Sequence, residues 1–129
     1  MSGPAGRRAV VGPALVLVGA AHTGLTLVLH GDAVRGVLAD GVLDGVEADP
    51  GQRAARALGF WFGTTGLGLS ALGWAVTELE HRPEPLPRAL PAVLLGLGSW
   101  GVALLPRSPF WVLPTLGLVA ELRRRREQR

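Results

Sequence analysis

The chain has 129 residues, of which 48 % are hydrophobic and only 18 % charged, and a formal net charge of +3. It has no Cys, which excludes disulfides, thiolate nucleophiles and Cys-based metal sites, and no Tyr, which removes one common general acid. All 13 basic residues are Arg, a usage that fits a GC-rich bacterial genome, and the charges gather in short clusters between long charge-free runs.

Ala9 to Leu29 is the first such run, with 21 residues and no Asp, Glu, Lys or Arg. At about 1.5 Å per residue it spans a hydrocarbon core of about 30 Å. Pro13 lies near its start, where a helix tolerates proline best. An alternative makes residues 1 to about 21 a cleaved signal peptide, with Arg7-Arg8 as the positive region and Val18-Gly19-Ala20 as the cleavage site. The run continues past that site to Leu29, too far for an ordinary signal core, so a retained first span is expected.

The loop from His30 to Arg56 follows. Val34, Val37, Leu38, Val42, Leu43 and Val46 share one helical face, and Asp40, Asp44 and Glu47 share the opposite one. The pattern predicts a short amphipathic helix over 33–47, capped by Asp32, lying on the outer interface with its apolar face down. Gly36, Gly41 and Gly45 weaken that helix. Asp49-Pro50-Gly51 reads as a turn into the second span, 57–77. A third span is expected over 89–105, with Arg88 and Arg107 snorkelling at its ends.

The fourth segment, 110–122, is short, holds Pro114 and carries Glu121. Charge argues that it crosses. With four crossings, Arg7, Arg8, Arg82, Arg88 and the basic tail Arg123, Arg124, Arg125, Arg126 and Arg129 share one side. Arg35, Arg53, Arg56 and Arg107 take the other. Three crossings would put the tail outside, against the positive-inside rule. The tail is thus a topology signal facing cytoplasm and anionic lipid, and nucleic acid is not an expected partner.

His22 is the sharpest candidate functional residue, because an ionisable side chain in mid-span is costly. Thr26 stands one turn further on, and Thr64, Thr65 and Ser70 of the second span are expected partners for a neutral imidazole. His22, Thr26, Trp61 and Thr65 form the candidate ligand site. Asp40, Asp44 and Glu47 join His22 as candidate proton-transfer groups, although carboxylates on an interfacial helix are usually just solvated. His22 and His30 lie two turns apart, too far for a metal pair. No metal and no cofactor are expected. Gly59-Phe60-Trp61-Phe62-Gly63 is a GxxxG pattern that permits close helix approach. Trp74, Trp100 and Trp111 read as interfacial or packing aromatics.

Several short stretches carry a resemblance. They are Gly19-Ala20-Ala21-His22-Thr23-Gly24-Leu25, Asp40-Gly41-Val42, Arg53 with Phe60-Trp61-Phe62-Gly63, and Pro106-Arg107-Ser108-Pro109-Phe110-Trp111. On these the chain resembles, over most of residues 7 to 122, a family of small uncharacterised bacterial four-helix membrane proteins. The resemblance implies a four-helix membrane fold and brings no activity.

The expectation is therefore one all-α membrane domain over 1–129 in the bacterial inner membrane, with both termini cytoplasmic. Its leading role is non-catalytic: binding a lipophilic small molecule or assisting a membrane complex, with further copies of itself as another partner. The alternatives are an embedded isomerase or cyclase using His22 and the loop carboxylates, and a small transporter or channel subunit.

Overall fold

The computed structural model describes residues 8–129. Arg7 and the start of the alternative signal peptide lie outside the described residues. The described chain is all-α: α1 Val11–Leu29, α2 Gly31–Ala39, α3 Arg53–Glu80, α4 Ala89–Leu104 and α5 Val112–Glu127, with a 3-10 turn at Pro109–Trp111 before α5. No strand occurs among the described residues. They divide into two compact units, one of Leu15–Trp74 and a terminal one of the residues up to Ala14 with Ala75–Arg129.

In the 15–74 unit, α1 and α3 meet along a seam of small residues. On α3 it runs through Gly59, Gly63, Gly66 and Ser70; on α1 it runs through Gly19, Thr23, Thr26 and His30. The steps of four, three and four match on both helices, the spacing that keeps one face of a helix against a neighbour. The backbones approach closely. A Cβ on Gly66 would lie 2.7 Å from the Thr23 nitrogen and 2.8 Å from the Gly19 oxygen. The expected GxxxG pair, Gly59 and Gly63, is part of this seam, facing His30 and Thr26.

The helix expected over 33–47 is shorter. α2 ends at Ala39, and Gly41 follows with φ of 86°. That left-handed conformation suits glycine and stops the helix. Val42 and Leu43 are therefore outside it, and Leu43 is 95 % exposed rather than face-down. Asp32 is not the cap: the N-cap is His30, and Asp32 sits in the first turn, paired with Arg35. At Asp49-Pro50-Gly51 the Asp49 carboxylate accepts a hydrogen bond from the Gly51 amide at 2.8 Å. α3 then runs beyond 57–77 at both ends, taking in Arg53, Arg56, Glu78 and Glu80.

In the terminal unit α4 packs on α5. Gly98 faces the Pro114 ring, Gly101 faces Phe110, and Gly117 faces Leu94 and Leu95. Leu94, Leu113, Leu116 and Ala120 are buried there. Pro114 does not interrupt the fourth segment. It is the third residue of α5, where the missing N–H has no partner to lose. α5 continues through the basic cluster, which is helical to Glu127 rather than a loose tail.

Four membrane-spanning helices, the fourth of them short, are the expectation from the sequence. Among the described residues one helix, α1, is long and apolar enough to cross a membrane, and α4 is apolar but shorter. Glycine, threonine and end charges dilute α3, and only Val112–Ala120 of α5 precedes Glu121.

Candidate functional site

His22 lies half-buried on α1, and its ring stacks on Phe62 of α3 with centroids 3.9 Å apart and planes 17° from parallel. His30 leans on the same phenyl ring at 5.4 Å and 58°. Phe62 thus joins two histidines two turns apart on α1. The expected hydrogen-bond partners are elsewhere: Thr65 donates to the Trp61 carbonyl at 2.8 Å, Ser70 donates weakly to the Val16 carbonyl at 3.5 Å, and Thr64 is exposed. Thr26 is buried, and its hydroxyl donates to the His22 carbonyl at 3.1 Å. Trp61 and Thr65 sit on an exposed face of α3, apart from His22. Of the candidate ligand residues, His22 and Thr26 come together; Trp61 and Thr65 form a second, separate pair.

The carboxylates do not approach His22 either. Asp40 pairs with Arg56 at 2.7 Å, and Glu47 pairs with Arg53 at 2.7 Å. Asp44 is exposed in a left-handed turn conformation, φ 60°. Arg56 is the residue that sequence reasoning missed. Its side chain is 3 % exposed, and it also donates to the Gly45 carbonyl at 2.8 Å. A buried guanidinium without its partner is costly, so Asp40 is not simply a solvated carboxylate. Asp40→Ala is expected to lower stability by about 2 kcal/mol, discounted because Asp40 itself is half exposed. Leu43→Asp should change it by less than about 0.5 kcal/mol, as for an exposed site. Melting temperatures in one detergent check this; the reverse order would mean that Arg56 is solvated.

The other missed group is in the terminal unit. The Glu80 side chain is 4 % exposed and caps the start of α1 from the end of α3. Its oxygens accept from the amides of Val10 at 3.0 Å, Val11 at 3.1 Å and Gly12 at 2.8 Å. These amides lack intrahelical acceptors, and a carboxylate also complements the positive end of the helix dipole. Arg123 stands 3.4 Å from the same carboxylate and donates to the Arg8 carbonyl at 2.9 Å. A signal for both misses exists in the sequence. Arg56, Gly59, Gly63, Gly66, Ser70, Gly73, Thr77 and Glu80 form one unbroken run of three- and four-residue steps. A charge at either end of a buried face needs a partner.

Among the described residues no group of three His, Asp or Glu side chains is placed to hold a metal ion. The depression nearest the candidate site is open and lined by Leu27–Ala33, Arg35 and Ala55, without His22. These features define an all-helical protein whose buried charges secure helix ends and whose mid-helix histidine stacks on an aromatic ring. Residues 6–127 match a family of unknown function, DUF6463, and the chain belongs to that family. No curated protein and no solved structure matches it.

Proposed function

We propose that the chain is a small membrane-embedded bundle that crosses the bilayer four times with both termini in the cytoplasm. α1 carries this reading. It has 19 residues without Asp, Glu, Lys or Arg, and only 28 % of its apolar stretch is buried within the chain. A core helix of a water-soluble protein would be mostly covered; this one turns Leu17, Leu27 and Val28 outward. Exposed Phe60, Trp61, Leu67 and Trp74 on α3, and Val93, Leu97 and Trp100 on α4, extend the argument. α4 measures about 24 Å, so local thinning and snorkelling of Arg88 and Arg107 accommodate it.

Within that bundle the role is non-catalytic. It is the holding of a lipophilic small molecule beside His22 and Phe62, or support of a larger membrane complex. The pairing of Asp40 and Glu47 with arginines supports it, because those carboxylates are engaged away from the histidine. One set of fusions tests both parts. A reporter active only in the periplasm should be silent after Arg129 and active near Gly51. His22→Leu in the same fusion should keep that topology and lose complementation of a deletion strain. A bright C-terminal reporter would sink the four-crossing arrangement; full complementation would sink the His22 site.

A further inference from the structure

The structure sorts the basic residues at the end of α5 into two kinds. Arg123 is engaged by Glu80 and the Arg8 carbonyl. Arg124 is held by Glu121 through bonds of 2.9 and 2.8 Å, and its side chain is 11 % exposed. These two serve the interior of the terminal unit. Arg125 gives one nitrogen to Glu121 at 2.6 Å but is 69 % exposed. Arg126 and Arg129 are exposed and make no ion pair or hydrogen bond among the described residues.

The exposed arginines continue an apolar stripe. Leu118 and Leu122 are exposed, Arg125 follows on the same side of the helix with Arg126 just beside it, and Arg129 lies exposed two residues beyond the end of α5. Along one face of α5 the surface therefore changes from hydrocarbon to cation within a single turn, between Leu122 and Arg125. A bilayer makes the same change at the depth where acyl chains meet phosphates, and anionic lipid attracts juxtamembrane arginine there. Glu121 does not cancel the charge, because Arg124 and Arg125 already neutralise it.

We infer that the exposed face of Leu118, Leu122, Arg125, Arg126 and Arg129 is a docking surface for anionic phospholipid, with acyl chains on the leucines and headgroup phosphates on the arginines. This rests on the membrane reading above but goes beyond it, since a spanning protein need not select its lipids. The selection belongs to Arg126 and Arg129, while Arg123 and Arg124 belong to the fold.

The test uses the full chain in vesicles of equal phosphatidylglycerol and phosphatidylcholine, extracted in mild detergent, with the lipids retained on the protein counted. The wild type should enrich phosphatidylglycerol about 25-fold, on the basis of about fivefold for each of Arg126 and Arg129. Raised salt should reduce the enrichment. Arg126→Gln with Arg129→Gln should cut it below about threefold at an unchanged melting temperature. Arg124→Gln should lower the melting temperature and keep the enrichment. Equal retention of both lipids by the wild type, or an undiminished preference in the double variant, overturns the inference. So does loss of the bound lipid to short RNA or to inorganic phosphate at matched ionic strength. Carbonate extraction of the same vesicles reads the spanning separately: a chain that stays in the pellet without lipid preference defeats the docking surface alone, and a released chain that still prefers phosphatidylglycerol defeats the spanning alone.

Discussion

Glu80→Ala should lower the stability of the protein by about 3 kcal/mol, the largest effect of any single side-chain removal outside the apolar core. Three backbone amides at the start of α1 lose their acceptor, and Arg123 loses its carboxylate partner. Loss of a helix cap alone costs about 1 kcal/mol. The remainder comes from leaving buried donors and a half-buried guanidinium unmatched. Glu80→Gln keeps an acceptor oxygen and should cost about 1 kcal/mol. Unfolding in graded SDS reads the difference. An alanine variant as stable as the wild type would mean that water replaces the carboxylate and the cap is dispensable.

Two glycines two residues apart on α3 should respond with opposite signs. Gly66→Ala places a methyl group against the backbone of Thr23 and Gly19, neither of which can rotate away. Overpacking of that kind costs about 1–3 kcal/mol. Gly68 faces open space, with nothing within 4 Å of where a methyl group would sit. There alanine restores helix propensity and should contribute up to about 1 kcal/mol of stability. The melting temperatures of the two variants in one detergent should bracket that of the wild type. If Gly66→Ala melts as high as Gly68→Ala, the close approach of α1 and α3 is wrong.

The charge-free runs made α1 and α4 legible, since their ends coincide with the first charged or turn-forming residues. The ends of α3 were not, because Arg56 and Glu80 read as loop charges when each residue is judged by its own polarity. Their partners, the Gly45 carbonyl with Asp40 and the start of α1, lie 11 to 70 residues away along the chain. α2 was over-extended because hydrophobic periodicity persists past Gly41, while the backbone at Gly41 does not stay helical. His22 was visible as a polar residue in an apolar run. Its partner was not, because imidazole in such a place is expected to seek a hydroxyl, and it stacks on the Phe62 ring instead. Pro114 shows the reverse error: a proline taken as a break is harmless three residues into a helix.

The small-residue face of α3 has one further consequence. Glycine, serine and threonine surfaces resemble one another from turn to turn, so they bring two helices close without saying which turn belongs opposite which. A slide of α3 along α1 by about two turns would still lay small residues on small residues. Interlocking leucines would forbid that slide by shape; here an aromatic ring opposes it. Phe62 of α3 stacks on His22 and leans on His30 of α1 in the native alignment. A two-turn slide carries that ring away from His22. In this helix affinity and register are carried by different residues: the glycines make the contact tight, and Phe62 between the two histidines marks its alignment.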